Sequence, residues 1–238
     1  MLNHVFQWFT PIPASAKKLQ LQNWQTAKFL SIDLELTGLD TRRDEIVSIG
    51  WQPILAQQLP LGLSIYSLCQ TSADLAQSPS IHGITERQLQ TGLDTQKMLL
   101  QLAPLAQDYI WVFHNAALDM TILKRYLHSY GLFKKFNINS IVTLDTLQLQ
   151  RYILEKNSHV IKTKSVNLSA SREFFKLPDT KAHHALDDAF ATAELLLAQL
   201  HQLSSGQKMS IKYLRHTGAV STWSVFNCNR HSPNNRLY

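Results

Sequence analysis

Cysteine is scarce in this chain, with only Cys69 and Cys228 among 238 residues. Two distant cysteines without metal-type spacing predict neither a disulfide framework nor a cysteine zinc site, so we expect both to be reduced thiols. Long apolar runs are also missing, and none approaches the roughly 20 residues that a membrane span requires. The N-terminus, MLNHVFQWFTPIPAS, lacks the charged start and continuous apolar stretch of a signal peptide. These absences predict a cytoplasmic protein without a membrane partner.

Acidic residues are missing from the end of the chain. Residues 201–238 carry five Lys or Arg and no Asp or Glu, whereas residues 1–119 carry 7 Lys or Arg against 10 Asp or Glu. The net charge of +6 therefore comes from the second half of the sequence. A basic surface favours polyanionic partners such as nucleic acid through counterion release, although many basic proteins bind none. Charge alone leaves both interpretations open.

The hydrophobic pattern predicts one folded unit with an α/β architecture. Strand-like runs cover residues 28–36, 45–51, 64–70, 109–113 and 138–144. Helical spacing of apolar residues covers residues 94–108, 117–130, 146–154, 167–176 and 185–203. Strands that first follow one another closely and later alternate with helices predict a mixed sheet flanked by helices. We expect a folded domain over residues 28–203, an N-terminal extension over 1–27 and a basic C-terminal extension over 204–238.

The C-terminal extension contains two short runs, MSIKYL and AVSTWSVF, on either side of RHTG. Their alternation around a glycine predicts a β-hairpin, with an unstructured tail as the alternative. Aromatic and basic residues are interleaved there at Lys208, Lys212, Tyr213, Arg215, Trp223, Phe226 and Arg230. Such a segment is suited to guiding single strands by charge and stacking, to docking a polymerase-like partner, or to neither role.

The stretch FLSIDLELTGLD places two carboxylates, Asp33 and Glu35, in an otherwise apolar run. Residues two apart in a strand point to the same face, so these carboxylates should lie side by side. Adjacent like charges are costly unless a cation lies between them or the strand end reaches water. A divalent cation held by oxygen ligands would remove that cost.

Two further carboxylates lie near the starts of predicted helices, Asp119 in WVFHNAALDMTIL and Asp188 in KAHHALDDAFATAELLLAQL. Each alone is explained by the preference for acidic residues at a helix N-terminus. Together with Asp33 and Glu35 they give four carboxylates from three segments, a charge that two divalent ions would balance. Such clusters support two-metal phosphodiester hydrolysis, and carboxylate oxygens favour Mg²⁺ or Mn²⁺.

His183 lies five residues before Asp188, which on a continuous helix would put the two side chains about 140° apart. If the helix instead begins at about His184 or Ala185, His183 lies on the preceding loop and can reach the Asp188 face. A mobile imidazole with a pKa near neutrality, beside a metal site, is suited to deprotonate water. The alternative is a surface histidine in a polar loop.

Three motifs, in order, resemble those of the DEDDh 3′→5′ exonucleases. IDLELTG resembles the first motif, HNAALDMTIL the second and HHALDDA the third, and the resemblance covers about residues 28–203. It implies a ribonuclease H-like fold that binds two Mg²⁺ or Mn²⁺ ions, with His183 as the base for the attacking water. The implied metal ligands are Asp33, Glu35, Asp119 and Asp188.

Within this group the sequence is most similar to the proofreading epsilon subunits of bacterial DNA polymerase III. SPSIHGIT resembles their segment beside the terminal nucleotide, so His82 is implied to touch substrate. Thr37 and Asn115 are implied as further nucleotide contacts.

The chain departs from the family pattern at Leu36 and Leu118, where the family commonly has a hydroxyl residue and Phe. These departures leave the metal chemistry intact but put in doubt how the terminal base and sugar are held, and hence the preference for DNA or RNA. Asp145, in the family-like segment LDT, is predicted to be a structural helix cap.

These observations predict an enzyme that removes nucleoside monophosphates from the 3′ ends of single-stranded DNA, in proofreading or repair, with a DNA polymerase subunit as a candidate partner. An RNA-trimming exoribonuclease of the same fold is the alternative enzyme, because the sequence does not show contacts to the 2′-hydroxyl. Outside enzymes, the alternative is a nucleic-acid or polymerase-binding module that has lost catalysis. The complete set of carboxylates and His183 argues against it, since a binding module needs no unbalanced acidic cluster.

Overall fold

The computed structural model describes residues 12–71, 83–157, 163–180 and 183–225. Its centre is a six-stranded sheet with the order β3-β2-β1-β4-β5-β6. The strands are β1 Phe29–Leu36, β2 Ile46–Ile54, β3 Ile65–Leu68, β4 Ile110–Phe113, β5 Ser140–Asp145 and β6 Val220–Ser224. β1, β4 and β5 are parallel, whereas β2, β3 and β6 run antiparallel to their neighbours. The predicted mixed sheet is confirmed.

Eight α-helices lie within the described residues. They are α1 Ala14–Gln20, α2 Glu86–Gln90, α3 Thr95–Leu102, α4 Ala116–Ser129, α5 Leu132–Lys135, α6 Thr146–Lys156, α7 Leu168–Phe174 and α8 Ala185–Ser204. Helices α3, α4, α6, α7 and α8 fall within the predicted helical ranges or within two residues of them, whereas α1, α2 and α5 were not predicted. No helix in the described ranges is both long enough and apolar enough to cross a membrane.

Buried apolar side chains fill both faces of the sheet. Leu30 and Trp111 belong to the core on the side of α3 and α4. Phe29 and Val112, their neighbours in sequence, belong to the opposite core together with Leu196 of α8. Because successive strand residues point to opposite faces, a nearly continuous apolar run supplies both cores.

The predicted C-terminal β-hairpin is wrong, because its two halves do not pair with each other. Residues Ile211–Thr217 form a 3₁₀ helix, because Ile211 and Leu214 are one 3₁₀ turn apart and both must be buried. The second half forms β6, which pairs antiparallel with β5. Residues beyond position 203 therefore add a strand to the central sheet.

The described part of the N-terminal segment also contacts the sheet. Leu19 of α1 and Trp24 are buried in the core that includes α8. The side-chain amide of Gln20 donates a hydrogen bond to the Thr222 hydroxyl of β6 at 2.9 Å. The two ends of the described chain thus meet at one side of the sheet.

Candidate active site

Four acidic side chains from three elements meet at one edge of the sheet and are called the acidic cluster: Asp33, Glu35, Asp119 and Asp188. Asp33 and Glu35 lie in the C-terminal half of β1. Asp119 is in the first turn of α4, which follows β4, a strand parallel to β1. Asp188 is in the first turn of α8, which crosses β1 and β2. The parallel arrangement of β1 and β4 thus brings the helix start with Asp119 to the edge that bears Asp33 and Glu35.

Burial and mutual repulsion raise the pKa values of the acidic cluster. Burial, followed by the charges of Asp119, Asp188 and Glu35, raises the pKa of Asp33 well above its ordinary value. Burial and the charge of Asp188 raise the pKa of Glu35 to about 7. Burial is also the main cause that raises the pKa of Asp119 to about 7, with the charge of Asp145 and then that of Glu35 contributing. The carboxylates are therefore close enough to oppose one another's ionisation.

His183 lies next to Glu35 and Asp188. One potential ligand atom from each of these three side chains lies within 4.8 Å of the other two. The backbone N–H of His183 donates to Oδ2 of Asp188 at 2.8 Å, and its backbone is left-handed with φ of 65°. Because α8 begins at Ala185, the predicted loop position of His183 is confirmed. Its side chain is exposed and faces the cluster from the solvent side.

The donor set of the acidic cluster fits divalent metal ions. Within the described part of the chain, no lysine or arginine forms an ion pair with any of its four carboxylates. Ionised carboxylates in such a cluster carry an uncompensated charge in a poorly hydrated place, which costs free energy. Mg²⁺ and Mn²⁺ prefer oxygen ligands and would cancel that charge. The residues present therefore match the ions that the resemblance implies.

Asp145 lies beside the acidic cluster but has a structural role. Its carboxylate accepts backbone N–H groups of Asn115 at 3.1 Å, Ala116 at 3.0 Å and Leu147 at 2.9 Å. Asp145 thereby joins the start of α4 to the start of α6. Burial raises its pKa, and these hydrogen bonds oppose the rise. The predicted helix cap is confirmed, with two helices rather than one held by the same carboxylate.

The residues predicted to contact nucleotide have different surroundings. Asn115 is exposed at the start of α4, in a left-handed conformation with φ of 76°. Thr37 is buried, and its hydroxyl donates to Asp44 at 3.2 Å and accepts the backbone N–H of Glu45 at 3.0 Å. Its hydroxyl therefore orders the loop after β1. His82 lies outside the described residues. Contact of all three with substrate stays a prediction.

Gly50 is a positioning residue that the sequence patterns did not single out. It pairs with Asp33 across β1 and β2. A Cβ atom at Gly50 would lie 2.4 Å from the backbone nitrogen of Leu186 and 2.5 Å from the carbonyl carbon of Ala185. Glycine therefore allows the first turn of α8 to lie directly on β2, which brings Asp188 to Asp33. The only available signal was an isolated glycine within a predicted strand, which often marks a close backbone approach.

His114 is a second residue that the sequence patterns did not single out. Its Nε2 lies 3.0 Å from the carbonyl oxygen of Val166, and its Nδ1 lies 2.9 Å from the hydroxyl of Thr146. A carbonyl accepts only, so Nε2 carries the proton and Nδ1 is an acceptor. The Thr146 hydroxyl shares its proton between this Nδ1 and the backbone carbonyl of Phe113, at 3.2 Å. Burial lowers the pKa of His114 to about 4. The neutral imidazole therefore connects the strand end before α4 with the start of α6 and the segment before α7.

The low pKa of His114 predicts a loss of stability in acid. Its pKa falls from 6.5 to about 4 on folding, so between these values only the unfolded chain takes up the proton. This group should then lower the free energy of unfolding by about 1.4 kcal/mol per pH unit as the pH falls through this window, and have no effect above it. His114→Gln cannot titrate. In urea unfolding, the wild-type protein should lose about 2 kcal/mol more than the variant between pH 7 and pH 5.

The comparison between the two proteins cancels the contribution of the acidic cluster, which has the opposite sign. Equal pH dependence of the wild-type protein and His114→Gln would contradict the prediction.

A family model described as exonuclease, RNase_T, matches residues 30–196. DNA polymerase III PolC-type of Caldanaerobacter subterraneus subsp. tengcongensis is 26% identical over 81% of this chain and 13% of its own length. The 3′-5′ exonuclease DinG of Staphylococcus epidermidis is 29% identical over 79% of this chain and 20% of its own length. A DNA polymerase III subunit epsilon-like protein of Rhodobacter capsulatus is 30% identical over 74% of this chain and 24% of its own length. The chain spans less than a quarter of each of these curated relatives.

Solved structures share the fold at low sequence identity. Exonuclease I superposes with a TM-score of 0.64 at 15% identity, over 80% of this chain and 44% of that chain. Escherichia coli Exonuclease I in complex with a dT13 oligonucleotide superposes with a TM-score of 0.58 at 14% identity, over 74% of this chain and 41% of that chain. The nuclease domain of 3′hExo, a DEDDh family member bound to rAMP, superposes with a TM-score of 0.58 at 12% identity, over 79% of this chain and 99% of that chain. The ribonuclease H-like fold that the motifs implied is confirmed.

Proposed function

Since the chain belongs to the RNase_T exonuclease family, we propose that it is a metal-dependent 3′→5′ exonuclease that releases nucleoside monophosphates from the 3′ ends of single-stranded DNA. The observation that carries this proposal is the acidic cluster. Its carboxylates repel one another, no lysine or arginine of the described chain pairs with them, and His183 lies beside them. A purely structural site would gain nothing from such an arrangement.

Each residue of the site has a distinct task in this reaction. Asp33, Glu35, Asp119 and Asp188 hold the ions. When bound, two Mg²⁺ or Mn²⁺ ions stabilise negative charge on the phosphodiester and favour ionisation of the attacking water. A ring nitrogen of His183 takes the proton of that water, for which its exposed position on a loop is suitable.

The products follow from the attack of water on the terminal phosphorus. The bond from phosphorus to the 3′ oxygen of the preceding nucleotide breaks, and that oxygen takes a proton from solvent. A nucleoside 5′-monophosphate leaves, and the shortened strand keeps a 3′-hydroxyl. The product strand is therefore a substrate for the next cycle.

We propose DNA as the preferred strand and a DNA polymerase as the partner, in proofreading or repair. The relatives named DNA polymerase III PolC-type and epsilon-like support this choice, as does the fold shared with Exonuclease I, which was solved with dT13. An RNA preference is the competing outcome, and the same experiment distinguishes the two.

Digestion of 5′-labelled single-stranded DNA and RNA of matched sequence tests the proposal. With Mg²⁺ the wild-type protein should produce a ladder that shortens from the 3′ end, faster on DNA. Asp188→Asn should lower the rate more than about 100-fold, because it removes a metal ligand and weakens the hydrogen bond that holds His183. Asp187→Asn is the matched control, since Asp187 pairs with His184 instead, and its rate should stay within a few-fold of wild type.

Equal rates for the two variants would contradict the assignment of Asp188. Absence of shortening in the wild-type protein, with Mg²⁺ or Mn²⁺, would contradict the proposed activity and favour a binding role. Faster shortening of RNA would overturn the DNA preference alone.

A further inference from the structure

The 3₁₀ helix Ile211–Thr217 presents two different rows of side chains to solvent. With about three residues per turn, side chains at i and i+3 lie above one another. Ile211 and Leu214 form the buried row. Lys212 and Arg215 then form a cationic row, while Tyr213 and His216 form an aromatic row, and all four are exposed. A row of positive charge thus runs directly beside a row of rings.

The rings of the aromatic row contact each other and a ring of α6. Tyr213 is 65% exposed, although aromatic side chains of this size are usually more buried. The His216 ring contacts Tyr213 edge to face at 5.2 Å between centroids and Tyr152 of α6 at 5.0 Å. The imidazole Nδ1 of His216 also hydrogen-bonds the backbone carbonyl of Tyr213. Tyr213 therefore offers a ring face that needs little ordering before a base stacks on it.

We call this area the basic aromatic surface, formed by Lys212, Tyr213, Arg215, His216 and Tyr152. Its surroundings are short of negative charge. Residues 204–225 contain no Asp or Glu, and α6 contributes Arg151 and Lys156 against one acidic residue, Glu155. The surface therefore attracts polyanions.

A short chain of hydrogen bonds connects the basic aromatic surface with the active-site edge. The backbone carbonyl of Ala219, two residues after the 3₁₀ helix, accepts the N–H of Asp145 at 2.9 Å. The carboxylate of Asp145 accepts the N–H of Ala116 at 3.0 Å, in the helical turn that bears Asp119. The end of the 3₁₀ helix and the start of α4 therefore both adjoin Asp145.

We propose that the basic aromatic surface binds the single strand upstream of its 3′ end, with one base stacked on Tyr213 and two backbone phosphates near Lys212 and Arg215. This inference rests on the proposed function, because it takes its ligand from the nuclease site. Adjacent cationic and aromatic rows match single-stranded nucleic acid, which offers regularly spaced phosphates and bases. An acidic peptide would use the cations but has no regular partner for the ring.

Fluorescence anisotropy with Mg²⁺, in the slowly cleaving Asp188→Asn background and with labelled dT5 and dT20, tests this proposal in the full chain. Tyr213→Ala should weaken binding of dT20 about 10-fold, while dT5, which occupies only the nuclease site, should bind as before. The double variant Lys212→Ser and Arg215→Ser should reduce the slope of log K against log salt by about 1.4, since each phosphate contact to a single strand contributes about 0.7. The control is Lys134→Ser with Lys135→Ser on α5, which removes the same charge from another exposed site.

Unchanged dT20 affinity and salt slope in both variants would overturn the proposal. Variants that lose binding of polyglutamate but keep binding of dT20 would overturn the proposal in favour of an acidic protein partner. Digestion of dT5 with Mg²⁺ separates this inference from the proposed function. If the wild-type protein digests dT5 and the variants behave like it with dT20, only the surface is wrong, whereas no digestion of dT5 contradicts the nuclease itself.

Discussion

Asp33→Asn is expected to make the metal-free protein more stable while it removes the nuclease activity. Burial and the charges of Asp119, Asp188 and Glu35 raise the pKa of Asp33 in the folded state, so its ionised form costs free energy at pH 8. Asparagine removes that charge with little change of shape. The free energy of unfolding in chelator should therefore rise, and the unfolding temperature with it. The digestion rate should fall more than about 100-fold.

The stability gain should depend on pH with a defined sign. A raised pKa in the fold gives stability that is present at low pH and lost as the pH rises. For Glu35 this stability is lost between pH 4.5 and about pH 7, and for Asp119 between pH 3.8 and about pH 7. Thermal unfolding in chelator should therefore separate Asp33→Asn from the wild-type protein at pH 8 and much less at pH 4.

Metal provides the internal control for Asp33→Asn. Millimolar Mg²⁺ or Mn²⁺ should stabilise the wild-type protein by mass action and the variant much less, so that the order of the two unfolding temperatures reverses. A wild-type protein that is the more stable of the two in chelator at pH 8 would contradict the prediction.

Gly50→Ala is expected to separate α8 from the sheet and so to reduce catalysis without touching any acidic residue. The new methyl carbon would lie only 2.4 to 2.6 Å from backbone atoms of Ala185 and Leu186. Backbone atoms, unlike a side chain, cannot avoid the clash by changing rotamer. Relief requires a shift of about 1 Å in the first turn of α8, which bears Asp188, and such a displacement can cost about 100-fold in rate. Overpacking should also destabilise the fold by about 1 to 3 kcal/mol.

Gly62→Ala is the matched control for Gly50→Ala. Gly62 lies between β2 and β3, and a Cβ atom added there would have no neighbour within 4 Å, so alanine should leave the rate and the unfolding temperature unchanged. Rates should be measured well below the unfolding temperature of Gly50→Ala, so that only folded protein contributes. A folded Gly50→Ala protein with the wild-type rate would show that Asp188 does not depend on this contact.

The carboxylates of the acidic cluster could be predicted from the sequence, but not all from local patterns. Asp33 and Glu35 stand out because two carboxylates interrupt an apolar strand, and residues two apart share a face. Asp119 and Asp188 could be assigned only in combination, because an acidic residue in the first turn of a helix is ordinary. Charge balance and the order of the three motifs, rather than any single residue, led to the prediction that they converge.

The contacts that could not be predicted join residues far apart in the chain. Gly50 matters because α8 lies on it, and its own sequence neighbourhood contains no sign of α8. His114 is similar, since its partners Thr146 and Val166 lie on later segments.

The segment around the 3₁₀ helix Ile211–Thr217 was ambiguous for another reason. In MSIKYL, Met209, Ile211 and Tyr213 alternate as in a strand, whereas Ile211 and Leu214 have the spacing of a 3₁₀ turn. Leu214 is buried in the core that also contains residues of α1 and α8, and this burial favours the 3₁₀ turn. Only the tertiary structure contains that information.

Product analysis of single-stranded DNA digestion decides whether the chain is a metal-dependent 3′→5′ exonuclease. An unlabelled 20-mer is incubated with the full chain in chelator, in Mg²⁺ and in Mn²⁺, and the products are identified by mass spectrometry over time. We expect nucleoside 5′-monophosphates and strands shortened from the 3′ end in either metal, with intact DNA in chelator. Intact DNA under all conditions, internal fragments, or equal digestion in chelator would contradict a metal-dependent 3′→5′ exonuclease built on the acidic cluster.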